Sequence, residues 1–134
     1  MINQPINAIT IAVKDIKAMR KFYHDILEWP ILNENPQVVM LRMSNAVLTI
    51  CANEVFTEYT GVHPDSGSGK GFYLTINVDS PKRVDEGFKK LSTQNVNITK
   101  MPFKTFWGGY SGFFADPEGN TWEISHNPIP GTKI

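Results

Sequence analysis

Residues 6–13 alternate in hydrophobicity, with Ile9, Ile11 and Val13 on one face and Ala8, Thr10 and Ala12 on the other. A period of two rich in β-branched residues predicts a strand. Asp15 stands where an N-cap belongs, and Ile16, Met19, Tyr23, Ile26 and Leu27 recur at three- and four-residue spacing. That pattern predicts an amphipathic helix of about a dozen residues, stopped by Pro30. Three short extended segments are expected next, around 29–33, 37–43 and 46–52, with Ser44-Asn45 as a tight turn between the last two.

The pattern breaks between Thr60 and Gly71, where Gly67, Gly69 and Gly71 mark a surface linker over 61–70. It is not a phosphate-binding loop, because Gly71 follows Lys70 where that motif needs Ser or Thr. The opening pattern then returns. Leu74, Ile76 and Val78 alternate with Tyr73, Thr75 and Asn77; Ser80 caps a helix that starts at Pro81 and carries Val84, Phe88 and Leu91 on one stripe. Strands are expected at 96–100, 110–115 and 121–126, the last two joined by the turn Asp116-Pro117-Glu118-Gly119-Asn120. Moving the first half forward by 65 residues lays Ile9 on Leu74, Ile11 on Ile76, Asp15 on Ser80 and Tyr23 on Phe88.

The chain therefore reads as a strand–helix–three-strand module written twice, over about 5–60 and 71–128, within one domain of 134 residues. The fold class is α+β. A ferredoxin-like βαββαβ arrangement fits poorly, since the interval between the helices has room for four strands.

Composition narrows the function. Thirteen basic and thirteen acidic residues cancel, so no long-range field draws in phosphate backbones or anionic lipid, and neither nucleic acid nor membrane is expected as a partner. No apolar run reaches the ~18 residues of a bilayer span, and the first residues lack a secretory pattern; the expectation is a cytoplasmic protein. Cys51 is the single cysteine and sits in an apolar strand, which predicts a buried, inert thiol.

The second face of the strands carries Ala8, Thr10 and Ala12, then Tyr73, Thr75 and Asn77, then Thr121, Glu123 and Ser125. Small and polar residues there suit either solvent or the inside of a ligand-binding cup. Phe103, Phe106, Trp107, Tyr110, Phe113 and Phe114 crowd into twelve residues among Gly108, Gly109 and Gly112. Such a glycine-flanked aromatic loop suits stacking on a planar or apolar ligand.

The run Ile9-Thr10-Ile11-Ala12-Val13-Lys14-Asp15, the pair Phe22-Tyr23, and residues 108–123 with their Asp-Pro-Glu-Gly-Asn-Thr-Trp-Glu ending resemble the vicinal oxygen chelate superfamily. That group includes glyoxalase I, bleomycin-resistance proteins and extradiol dioxygenases. The resemblance implies paired βαβββ modules forming a curved mixed-sheet cup, and a homodimer. It also implies that metal-dependent members hold an ion with four cup-facing residues, which fall here on Ala8, Thr49, Tyr73 and Glu123. Glu123 alone is a usual ligand, and His24 on a helix, His63 in the linker and His126 at the opposite strand parity do not complete the set. The resemblance is thus to a metal-free branch, with no cofactor expected.

Two functions follow. In one, the protein binds a small organic molecule, such as an aromatic metabolite or antibiotic, and sequesters it. Glu123 then accepts hydrogen bonds from the ligand, Thr49, Tyr73 and Thr75 form polar walls, and Phe103, Trp107 and Tyr110 stack. In the other, it is a cofactor-free isomerase or lyase with Glu123 as general base and Tyr73 stabilising developing negative charge. Metal-dependent glyoxalase or dioxygenase activity is not expected.

Overall fold

The computed structural model describes residues 6–60, 63–64 and 72–128. The linker expected over 61–70 lies almost wholly outside the described residues. The chain divides into two compact units, Met1–Ser66 and Gly67–Ile134.

In the first unit, β1 (Ala8–Val13) leads into helix α1 (Ile16–Arg20), which continues as a π-helical segment, Lys21–Ile26. Strands β2 (Ile31–Asn35), β3 (Val38–Arg42) and β4 (Val47–Ala52) follow, then helix α2 (Asn53–Thr60). The sheet order is β1-β4-β3-β2, with β1 parallel to β4 and the other pairs antiparallel. The second unit repeats this plan with β5 (Leu74–Asn77), helix α3 (Pro81–Thr93), β6 (Asn97–Lys104), β7 (Tyr110–Ala115) and β8 (Thr121–His126). Its order is β5-β8-β7-β6, again with one parallel pair. Two open, mixed four-stranded sheets of identical topology make the α+β fold of two βαβββ modules.

The repeated caps work as their residue types dictate. Asp15 Oδ1 accepts the backbone N–H of Ala18 at 3.0 Å, and Ser80 Oγ accepts that of Arg83 at 3.2 Å. Ile11 and Val13 of β1 are buried, whereas no residue of β5 is. The first unit buries Ile11, Val13, Met19, Phe22 and Tyr23, with α1 packed on β3 and β4; in the second, α3, carrying Val84, Phe88 and Leu91, packs on β7 and β8, which carry Phe114 and Trp122. Burying each such large side chain contributes roughly 1.5–3 kcal/mol.

Several elements differ from the sequence expectation, each for a local reason. The first helix widens into a π turn, with Leu27 N–H reaching Phe22 O at 3.0 Å and Trp29 N–H reaching Tyr23 O at 3.1 Å. The wider turn lets the consecutive residues Phe22 and Tyr23 both face the core. Glu28, at φ 63°, ends it ahead of Pro30. Helix α2 falls outside the expected elements, and none of its side chains is buried. Strand β6 runs four residues past its expected end, through two register shifts against β7.

Gly112, read both as part of the strand at 110–115 and as flanking an aromatic loop, lies inside β7. A Cβ there would stand 2.7 Å from two ring carbons of Phe88, so the absent side chain lets α3 close on the sheet. The turn after β7 is an aspartate-centred knot. Buried Asp116 accepts the backbone N–H groups of Glu118 and Asn120 at 2.9 Å and the Asn120 side-chain amide at 2.7 Å, while Gly119 takes φ +84°. This motif sets the start of β8, and with it the position of Glu123.

Candidate functional site

Register places the polar faces of the two modules in corresponding rows. In the first unit Thr10 pairs with Thr49, Thr49 with Met40, and Met40 with Asn33. In the second, Thr75 pairs with Glu123, Glu123 with Phe113, and Phe113 with Lys100. The same lattice point thus carries a threonine in one module and a carboxylate in the other. The second row lies on the sheet face opposite α3, since Phe114 and Trp122, of the other parity, pack against that helix.

Glu123 is 7% exposed, and its Oε1 accepts the Thr75 hydroxyl at 2.8 Å. Thr75 is its one hydrogen-bond partner among the described residues, and no cation there lies at ion-pair distance. A carboxylate has about four acceptor sites, so this buried anion retains unused capacity. Alongside it, Ser111 Oγ donates to Ser125 Oγ at 2.8 Å, both residues buried. The floor of the face is therefore a line of oxygens.

An aromatic strip crosses that floor. The rings of Tyr73 and Phe113 meet edge to face at 5.3 Å and 83°, and Phe113 stacks on Phe103 at 6.4 Å and 23°. Lys100 Nζ sits 3.9 Å from the Phe103 ring centroid, closing the strip with a cation. Tyr73 precedes β5 and remains more than half exposed.

Of the residues expected at a site, Glu123, Tyr73, Thr75 and Phe103 thus share one face of the second unit. Thr49 occupies the matching row of the first unit. Tyr110 does not join them: it lies on the α3 side of β7, where its hydroxyl donates to Asp85 Oδ1 at 2.6 Å. That bond to a carboxylate, together with some burial, pushes the phenol above its ordinary value. Trp107 folds its ring over Gly109 within the β6–β7 turn and does not pair with the strip. Lys100 and Ser111 belong to the face but escaped the sequence reading, and Phe113, named there only within the aromatic run, belongs to it as well. Parity within β7 was the available signal, since Ser111 and Phe113 alternate with Gly112 and Phe114.

The remaining candidates are structural. Cys51 is buried, and desolvation raises its thiol pKa, as an inert thiol requires. His24 Nδ1 lies 2.8 Å from the Trp29 carbonyl oxygen, and His126 faces the α3 side, its Nδ1 buried with no partner among the described residues. Two cavities also lie on that side, one of about 520 Å³ between α3 and β6 and one of about 350 Å³ beside Gly109 and His126. Neither includes Glu123.

A divalent metal does not suit these residues. Ala8 offers no donor atom, Thr49 and Tyr73 offer hydroxyls, and Glu123 offers one carboxylate. Among the described residues no three His, Cys, Asp or Glu side chains gather as a metal site would need. No helix among them is long and apolar enough to cross a membrane.

Comparison with known proteins agrees with this topology. The family model described as Glyoxalase/Bleomycin resistance protein/Dioxygenase superfamily matches residues 5–124. The metallothiol transferase FosB of Staphylococcus saprophyticus is 26% identical over 127 residues, covering 90% of this chain and 76% of that protein. A glyoxalase-related enzyme from Fulvimarina pelagi superposes with a TM-score of 0.84 at 28% identity, over 95% of this chain and 91% of the other. Lactoylglutathione lyase from Agrobacterium tumefaciens shares the fold at a TM-score of 0.79 and 18% identity, over 96% and 98% of the two chains.

Proposed function

Given that the chain belongs to the glyoxalase/bleomycin resistance protein/dioxygenase superfamily, we propose that the Glu123 face of its second unit binds a small organic molecule without a metal. One observation carries the reading: a buried carboxylate, held by a single neutral hydroxyl, stands beside an edge-to-face pair of aromatic rings. Glu123 accepts hydrogen bonds from the ligand, Thr75 fixes the carboxylate, and Tyr73, Phe113 and Phe103 supply the apolar walls. Similarity to a metallothiol transferase favours a small molecule as the partner, while Ala8 argues against metal-dependent transfer in this chain.

Calorimetric titration of small aromatic amines and alcohols tests it. The expected result is binding that weakens markedly in Glu123→Gln and in Phe113→Ala. Binding left intact by both substitutions would overturn the assignment of the face.

The same carboxylate favours a second reading, a cofactor-free isomerase or lyase. With Oε1 engaged by Thr75, Oε2 accepts no bond from the described residues, as suits an oriented general base. For a catalyst, Glu123→Gln leaves binding nearly unchanged and lowers turnover by orders of magnitude; for a binder it lowers affinity alone.

A further inference from the structure

We propose that the Glu123 face recognises an organic cation, a protonated or quaternary amine attached to an apolar group. This rests on the reading of that face as a ligand site and names the ligand's chemistry.

The geometry begins with strand order. β8 lies between β5 and β7, so the backbones flanking it stand about 10 Å apart, two inter-strand spacings. Tyr73, just before β5, nevertheless touches Phe113 of β7 ring to ring at 5.3 Å. The two rings therefore meet above β8. The β8 residue in register with Phe113 is Glu123, whose side chain rises on the same face. Glu123 thus neighbours a pair of rings in edge-to-face contact at 83°, one of them the half-exposed Tyr73, and carboxylate and rings together make the box.

The chemistry then selects among ligands. A buried anion facing only a hydroxyl is poorly compensated, so the complementary guest carries positive charge. A metal dication needs several oxygen or nitrogen donors, and the box supplies one carboxylate. A neutral aromatic satisfies the rings and leaves the anion uncompensated. An alkylammonium satisfies both, because it is attracted to ring faces as well as to carboxylate. The strip already holds one ammonium in this way, Lys100 on Phe103. The Tyr73–Phe113 end beside Glu123 holds none of its own among the described residues.

Benzyltrimethylammonium and its uncharged carbon isostere, neopentylbenzene, form the test pair, titrated by calorimetry and followed by amide NMR shifts at residues 73–75, 113 and 123. The expected result is saturable binding of the cation, at least about tenfold tighter than the isostere, with that preference lost in Glu123→Gln. Lys100→Met, which removes a like charge from the strip, should tighten the cation several-fold. Equal affinity for both probes, abolished by Phe113→Ala, would overturn the cation preference while leaving the face as a ligand site. Shifts confined to other residues, or no binding of either probe at millimolar concentration, would overturn the cation box itself. The proposed ligand face would then stand or fall on the wider amine and alcohol titration.

Discussion

The hydroxyl of Thr75 donates to Glu123 Oε1 at 2.8 Å across the parallel β5–β8 pair. A buried carboxylate that keeps one neutral donor is held at some cost to stability, which suits a group retained for a ligand. Thr75→Val should lower unfolding free energy by about 1–2 kcal/mol in denaturant titration. The same change in a Glu123→Met background should cost less than about 0.5 kcal/mol, because the acceptor is gone. Glu123→Met alone should leave stability unchanged or raised. A loss above about 2 kcal/mol for that single variant would show that the carboxylate is a structural element.

Gly112 owes its place to Phe88. A Cβ on β7 would meet the buried ring at 2.7 Å, and with Phe114 beside it that ring has little room to retreat. Gly112→Ala should destabilise by about 1–3 kcal/mol through overpacking. Phe88→Leu, destabilising alone, should partly restore the Gly112→Ala variant in thermal melts. Simple additivity of the two losses would rule out the contact as the cause.

What the sequence disclosed, and what it hid, follows from how far each signal reaches. Strands β1, β5 and β8 are legible because each alternates between an apolar and a small or polar face, and the two caps at Asp15 and Ser80 are local hydrogen bonds. Glu123, Thr75 and Tyr73 could be placed together because parity alone assigns them to one face. Tyr110 was misassigned because proximity to a glycine-rich aromatic run outweighed its parity: one step along β7 separates it from Ser111 and reverses its face. The π turn at 21–26 was invisible, since burying Phe22 and Tyr23 together is a tertiary demand that no three-and-four spacing expresses. Helix α2 likewise lacks a buried stripe for the sequence to display. Lys100 was hidden by the register shifts of β6, which decide where its ammonium meets Phe103.

Tyr110 and Asp85 make a pH-dependent tie between β7 and α3. The phenol donates to the carboxylate at 2.6 Å, so the neutral phenol is favoured and its pKa rises. A raised value means that the tie is fully present below the phenol's unfolded pKa of 10.0 and is lost as pH climbs through the higher folded value. The difference between ultraviolet titrations of the parent and of Tyr110→Phe should show this phenol ionising above its ordinary value, and Asp85→Asn should shift that difference to lower pH. A difference curve with an unshifted midpoint would show that the bond to Asp85 does not hold the phenol.

Arg20 and Glu34 join the first helix to β2 through two bonds, Nε to Oε1 at 2.7 Å and Nη2 to Oε2 at 3.1 Å. The guanidinium lowers the Glu34 pKa, chiefly through hydrogen bonding. A lowered carboxylate pKa stabilises the fold above the unfolded value of 4.5 and loses that contribution as pH falls through the folded one. Both side chains are more than a third exposed, so the effect should be small and should shrink as salt is added. Chemical denaturation at pH 7 and at pH 3 should therefore show a smaller acid-induced loss in Glu34→Gln than in the parent protein. The difference between the two should narrow in 1 M NaCl. An unchanged difference at high salt would mean that the pair acts by holding the helix–strand geometry through its paired hydrogen bonds, with little contribution from charge.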